Sequence, residues 1–238
     1  VNTYKVFQYI MDHPKKDLHL NITSNMCPPD EKLKKKYFNM LQDICMQEKV
    51  EHVMQFVSVD SYGKQAEYIR NGLDYDRMMA NVDEFLDRIP ARNSITFIIT
   101  YNNLSVTGVG ALLEEIRQLR QKHSKTYQRV WFDIPLLRQP AWQQITLLPE
   151  SYQEIHQSNI EMMQKLSGPE EGYGAFRDFE IQKMQRNLAY WKKNANASTK
   201  DKKDFYAFFN EHDRRRTTRF LNTFPEMEEF WQECRNAK

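Results

Sequence analysis

Glycine, proline and cysteine are scarce in this sequence of 238 residues, which contains seven, nine and three of them respectively. Glycine and proline together reach about half of their usual share, which argues against collagen-like, low-complexity and turn-rich all-β chains. The cysteines, Cys27, Cys45 and Cys234, are too few and too scattered for a disulfide framework. We therefore expect a reducing, cytoplasmic setting.

Long apolar runs and an excess of one charge are also missing. No stretch approaches the roughly 18 apolar residues of a membrane span, so no membrane partner is expected. The 34 Lys and Arg residues against 32 Asp and Glu residues give a formal net charge of +2, which makes a nucleic-acid partner unlikely. The arginine run at residues 214–216, with Arg219, leaves nucleic-acid binding as a third and weaker hypothesis.

Apolar residues make up 40% of the chain and aromatic residues 13%, which is enough for a packed core. In the first two thirds of the chain, these residues follow strand and helix patterns in alternation. Four runs predict strands, at residues 18–23, 53–59, 95–100 and 130–137. Three helical patterns separate these strands and a fourth precedes them. This order predicts an α/β fold built of consecutive βα units with a parallel sheet.

The pattern changes near residue 149. Beyond it, four segments have helical patterns, at residues 151–166, 176–193, 200–213 and 225–235. We therefore predict an α/β part over residues 1–149, followed by an α-helical C-terminal extension over residues 150–238.

Polar side chains follow three of the predicted strands. Asn25 follows the first strand, Ser58 and Asp60 end the second, and Asn102 follows the third, with Arg70 ten residues beyond Asp60. Ligands of parallel α/β proteins bind at the carboxyl ends of the strands. Amides and hydroxyls suit ribose or amino-acid groups, and an arginine suits a carboxylate. The same residue types also cap helices and shape turns at most βα junctions, so this pattern alone names no ligand.

The familiar catalytic motifs are missing from the sequence. It has no glycine-rich phosphate loop, no His-Glu-x-x-His, no Gly-x-Ser-x-Gly and no Cys-x-x-Cys. Its six histidines share no spacing typical of metal ligands. The sequence therefore identifies no catalytic residue and predicts no metal site formed by this chain alone.

Residues 58–72 nevertheless resemble a known family, the radical S-adenosylmethionine (SAM) enzymes, through the stretch SVDSYGKQAEYIRNG. The resemblance is greatest to twitch-domain-containing radical SAM proteins. Residues 22–25 are similar to the Thr-Asn strand end of that superfamily, and residues 100–106 to its later Asn-bearing strand. Residues 136–140 and 147–149 are similar to its closing strand and the exit from it. The resemblance covers roughly residues 1–149.

This resemblance implies a fold and a chemistry. The fold would be a partial (β/α) barrel, a partial TIM barrel of about six units, of which this chain would hold about four strands. The enzyme would use a [4Fe-4S] cluster, bound by a Cys-x3-Cys-x2-Cys loop, because soft thiolates are suitable ligands of iron. It would cleave SAM to a 5′-deoxyadenosyl radical that acts on an unknown substrate, a peptide or a small molecule. An electron donor such as flavodoxin or ferredoxin would be a partner.

The resemblance also assigns cofactor-binding roles to residues. Ser58 and Asp60 would face the ribose or methionine part of SAM, Asn25 and Asn102 would lie on neighbouring strand ends, and Arg70 would approach the SAM carboxylate. The three-cysteine loop and the Gly-Gly-Glu strand end of the family are not in this sequence. We therefore expect the cluster ligands upstream of this chain, which begins at Val1 as a truncated gene product would, and we expect this chain alone to be inactive.

The alternative hypothesis is a non-catalytic α/β module that binds a nucleotide-like ligand or a protein partner through the same residues. A further expectation concerns association. If strands are missing, this chain exposes a strand edge and should aggregate or associate.

Overall fold

A computed structural model describes residues 3–237 as an α/β protein with a four-stranded parallel sheet. The strands follow one another across the sheet in chain order. They are β1 (His19–Ser24), β2 (His52–Ser58), β3 (Ser94–Ile98) and β4 (Val130–Asp133).

Ten α-helices accompany the sheet within these residues, six of them beginning at or after residue 109. They are α1 (Thr3–Asp12), α2 (Glu31–Met46), α3 (Gly63–Ile69), α4 (Tyr75–Arg88), α5 (Val109–His123), α6 (Ser151–Lys165), α7 (Asp178–Lys193), α8 (Thr199–Arg216), α9 (Phe220–Thr223) and α10 (Glu228–Asn236). Asp30 and Asp74 fix where α2 and α4 begin, because each carboxylate accepts a hydrogen bond from a first-turn N–H of its helix. None of the described helices is long and apolar enough to cross a membrane.

The two faces of the sheet differ in burial. Parallel strands joined in sequential order by right-handed crossovers place their helices on one face. On β2, Val53, Gln55 and Val57 point to that face and are fully buried. The alternate residues of β2, which include Phe56 and Ser58, point to the opposite face and are half-buried. The face without crossover helices is therefore partly open.

One buried polar residue on the helix-covered face, Gln55 of β2, ties β1 and β2 to α2. Gln55 accepts a hydrogen bond from the Tyr37 hydroxyl of α2 at 2.5 Å, and its amide nitrogen donates to the Ile22 carbonyl at 3.1 Å and to the Ser24 hydroxyl at 3.0 Å. Burial raises the pKa of Tyr37, so this hydroxyl stays protonated and remains a donor. A polar side chain in this core is tolerated because all its bonds are made.

The outer edge of β4 is covered by α5 and α7. The outward carbonyl of Val130 accepts a hydrogen bond from Arg120 Nε at 2.9 Å, and that of Ile134 accepts one from Asn187 Nδ2 at 3.1 Å. Arg120 is itself paired with Glu180 of α7, and the two side chains are 0% and 1% exposed. This buried pair holds α7 against the sheet.

The sequence predicted the α/β class, the four strands and the parallel sheet, and the structure confirms them. The ends differ. β4 ends at Asp133 instead of residue 137, because Pro135 has no N–H to continue the ladder, although Leu136 regains one pairing with Tyr101. The short helices α3 and α9 were not predicted. The segment predicted as helix at residues 225–235 starts with a 3₁₀ turn, and α10 begins at residue 228.

Candidate functional site

The polar residues predicted from the strand ends follow three adjacent strands. Ser24, the last residue of β1, pairs with Val57 of β2, and Ser58 pairs with Ile98 of β3. These strand ends lie side by side. Asn25, Ser58, Asp60 and Asn102 are therefore all located at the carboxyl ends of the parallel strands, a region that we call the carboxyl rim.

Asp60 and Arg70 form a hydrogen-bonded ion pair at the carboxyl rim. Arg70 donates from Nε to one carboxylate oxygen of Asp60 at 2.8 Å and from Nη2 to the other at 3.0 Å. The Asp60 carboxylate also accepts the N–H of Thr100, which follows β3, at 3.0 Å. The side chain of Asp60 is 7% exposed and that of Arg70 is 33% exposed. Asp60 is therefore satisfied by the protein, whereas part of the guanidinium faces solvent.

Asn102 shapes the turn after β3. Its side-chain oxygen accepts the N–H of Leu104 at 2.9 Å, and its amide nitrogen donates to the Thr100 carbonyl at 2.9 Å. It is 4% exposed. Asn102 thus lies at the carboxyl rim as predicted, but these bonds leave it only one free N–H for a ligand.

Ser58 and Asn25 keep more of their polar groups free. Ser58 is half-buried on the open face, and its hydroxyl makes no hydrogen bond to the described residues. Asn25 is exposed, and its side-chain oxygen accepts the N–H of Cys27 at 3.1 Å while its amide nitrogen has no bond within residues 3–237. Asn25 also lines a groove of about 650 Å³ beside β1, together with Tyr4 and Lys36.

The three cysteines lie in separate parts of the structure and do not form an iron–sulfur site. Cys27 follows β1 and its thiol donates to the Asp74 carbonyl at 3.3 Å, whereas Cys45 lies in α2 and Cys234 in α10. Burial raises the pKa of Cys27, and it raises that of Cys45 and of Cys234 to about 12, so these thiols resist becoming thiolate ligands. In the described part of the chain, no three His, Cys, Asp or Glu side chains converge to hold a metal.

Residues 58–72 also make contacts with the C-terminal part of the chain that the sequence did not reveal. Tyr68 of α3 donates its hydroxyl to Asp213 of α8 at 2.8 Å, and Gln65 donates to Glu226 at 2.8 Å. The Tyr68 ring also packs against Phe209 and Phe224. The C-terminal helices therefore anchor α3. No local signal could have indicated this, because the partners lie 145 and 161 residues further along the chain.

The arginine run at the end of α8 is partly neutralised within its own helix. Glu211 pairs with both Arg214 and Arg215, at 2.7 Å and 2.6 Å. These two guanidiniums lower the pKa of Glu211 to about 2, so its charge persists at acid pH. Such pairing is typical of a solvated helix face.

Comparison of the chain with protein-family models, curated proteins and solved structures finds no match. Its candidate function therefore depends on the geometry of the carboxyl rim and on the resemblance of residues 58–72.

Proposed function

We propose that this chain forms the SAM-binding part of a radical SAM enzyme that acts on an unknown substrate. The observation that carries the proposal is the Asp60–Arg70 pair at the carboxyl rim, in which the Arg70 side chain is 33% exposed. Ser58, which ends β2 two residues before Asp60, adds a hydroxyl that makes no hydrogen bond to the described residues. An arginine fork recognises a carboxylate, and a hydroxyl or amide recognises an amino group or ribose. These are the polar groups of SAM.

The sheet order supports the same proposal. Parallel strands in sequential order, with their helices on one face, are the arrangement found in (β/α) barrels. We place β1 to β4 as about four strands of a partial (β/α) barrel over residues 1–149, followed by the helical extension. Further strands of the barrel would pair with the outer edge of β1, and the open face would line the barrel interior.

The residues of the carboxyl rim fit SAM better than they fit the cluster. Arg70 would bind the carboxylate of SAM, and Ser58 would bind its amino group or ribose. The amide nitrogens of Asn25 and Asn102 would donate to its ribose hydroxyls. When bound, SAM would supply the adenosyl group for radical chemistry. The buried, separated thiols of Cys45 and Cys234 do not fit a [4Fe-4S] cluster, so its ligands, and the docking of a flavodoxin or ferredoxin, are assigned to residues outside this chain.

Binding of SAM to the full chain tests this function. Ligand-observed NMR titration measures dissociation constants up to the millimolar range. We expect wild-type chain to bind SAM, and Ser58→Ala to weaken binding about threefold to tenfold, because a hydrogen bond is lost. Ser158→Ala is the matched control, since Ser158 lies on α6 and bonds only to the Glu154 carbonyl. Equal affinity of Ser58→Ala and wild type would contradict a role for Ser58.

A non-catalytic module that binds a partner is the second candidate. It is favoured by the half-buried apolar residues of the open face, Met54, Phe56 and Trp131, which are suited to an apolar partner. The gene sequence upstream of Val1 separates the two candidates. A Cys-x3-Cys-x2-Cys loop and a Gly-Gly-Glu strand end support the enzyme, whereas a start codon next to Val1 supports the module.

A further inference from the structure

We infer that Asp60 is a positioning residue, which aims Arg70 at a carboxylate of the ligand and does not itself bind the ligand. The inference rests on the proposed function and changes the role that the resemblance implies for Asp60. The structural basis is the way in which the two side chains share their hydrogen-bonding groups.

A guanidinium has two edges that can hold a carboxylate, one formed by Nε and one Nη nitrogen, the other formed by the two Nη nitrogens. Asp60 occupies the first edge of Arg70, through Nε and Nη2. Nη1 of Arg70 bonds to no described residue, and the side chain is 33% exposed. The second edge is therefore the part of Arg70 that is open to a ligand.

Asp60 has little capacity left for a ligand of its own. Both of its oxygens accept from Arg70, one of them also accepts the Thr100 N–H, and the side chain is 7% exposed. Three of the roughly four acceptor positions of this carboxylate are filled, and burial of the side chain limits access to the fourth. Contact between Asp60 and the ribose is therefore disfavoured.

Both ends of the Asp60–Arg70 pair are held by regular structure. Asp60 follows β2 and accepts the N–H of Thr100, two residues beyond the end of β3, while Arg70 closes α3 with its own N–H donating to the Ala66 carbonyl. The contacts of Tyr68 and Gln65 with the C-terminal helices hold α3 in place. A guanidinium oriented before the ligand arrives loses less conformational entropy on binding, which strengthens binding.

The second edge of Arg70 selects for a planar group with two oxygens, because its two Nη nitrogens donate in parallel. The amino-acid carboxylate of SAM is such a group. 5′-Methylthioadenosine shares the adenosine and the sulfur of SAM but lacks the amino-acid part. The two ligands therefore separate contacts to the carboxylate from contacts to the nucleoside.

Dissociation constants of both ligands, measured by NMR titration for wild type and Asp60→Asn, test the inference. We expect Asp60→Asn to weaken SAM binding about tenfold, because an unoriented guanidinium loses a charged hydrogen bond, and to leave 5′-methylthioadenosine binding unchanged. Arg70→Lys keeps the positive charge beside Asp60 but removes the paired Nη donors. We therefore expect it also to weaken SAM binding and to leave 5′-methylthioadenosine binding unchanged. Adding Asp60→Asn to Arg70→Lys should then have no further effect on SAM binding.

Each other outcome overturns a specific claim. An equal loss of both ligands in Asp60→Asn would show that Asp60 contacts the nucleoside, and unchanged or tighter SAM binding would show that it does not position Arg70. Thermal unfolding of each variant identifies loss of fold. If Asp60→Asn unfolds, Asp60→Glu decides the inference, because it keeps the carboxylate but displaces it by one methylene and should weaken binding of SAM and not of 5′-methylthioadenosine. A wild-type chain that binds neither ligand would overturn the proposed function itself.

Discussion

The two outer strands of the sheet, β1 and β4, differ in whether side chains of helices bond to their outer edges. The outward carbonyls of Val130 and Ile134 at β4 are bonded to side chains of α5 and α7. Within residues 3–237, β1 has a strand neighbour on one side only, and its alternate residues His19, Asn21 and Thr23 are exposed. An unprotected edge is a template for pairing with another strand. The sheet is thus closed to further strands at β4 and open to them at β1.

The largest expected effect is at the closed edge. Removing the carboxylate with Glu180→Ala leaves the fully buried Arg120 without its partner, so we expect a loss of about 3–5 kcal/mol in the free energy of unfolding. Urea denaturation measures it. Asp204→Ala is the control, because the Lys200–Asp204 pair of α8 is exposed and should contribute less than about 1 kcal/mol. Similar losses in the two variants would show that the buried pair does not hold the β4 edge.

A smaller loss in the free energy of unfolding should appear on acidification, through His156 in α6. His156 of α6 donates from Nε2 to the Met184 carbonyl at 2.9 Å. Because burial favours the neutral ring, its Nδ1 accepts from the Tyr101 hydroxyl at 2.6 Å. Burial lowers the pKa of His156 below the unfolded value of about 6.5. The stabilisation it provides is therefore complete above that value and declines as pH falls below it.

The slope of this decline is at most about 1.4 kcal/mol per pH unit for one proton. Urea denaturation between pH 7.5 and pH 5 measures it in wild type and in His156→Gln, where the slope should become shallower. His13→Gln is the control, since His13 is exposed on the loop after α1. An unchanged slope in His156→Gln would assign the acid sensitivity to other groups.

The smallest change in stability is expected at the open edge. Asn21→Lys adds a charge to an exposed position of β1, so the free energy of unfolding should change by less than about 0.5 kcal/mol. Association should fall, because a lysine on an edge strand opposes pairing. Sedimentation velocity over a range of concentrations measures this. If the wild-type chain is monomeric at every concentration, β1 does not act as an open edge.

The part of the fold that could be predicted is the part encoded by local pattern. The β-branched and aromatic run that forms β3 and the Asp30 cap of α2 are both readable along the sequence. The seven-residue helix α3 was missed because it is too short to show a helical apolar pattern, with only Ala66 and Tyr68 buried. Pairing across the chain, such as that of Arg120 with Glu180, depends on packing that no local pattern records.

The candidate site was predictable in its position but not in its bonding. Ligands of parallel α/β proteins bind at the carboxyl ends of the strands, which predicted that Asn25, Ser58, Asp60 and Asn102 lie at the carboxyl rim. The structure has them there. Whether a polar group is free or already bonded depends on neighbours that are distant in sequence, such as Thr100 for Asp60, across 40 residues. The sequence therefore could not distinguish the free hydroxyl of Ser58 from the occupied carboxylate of Asp60.

The anchoring of α3 by the C-terminal helices has a consequence for biosynthesis. The residues that anchor α3, Asp213 and Glu226, are synthesised 145 and 161 residues after their partners Tyr68 and Gln65. At ordinary rates of translation this is a delay of about 10–30 s. During this interval α3 lacks both contacts, and Arg70 at its end should be held in place only after residues 213 and 226 have been made.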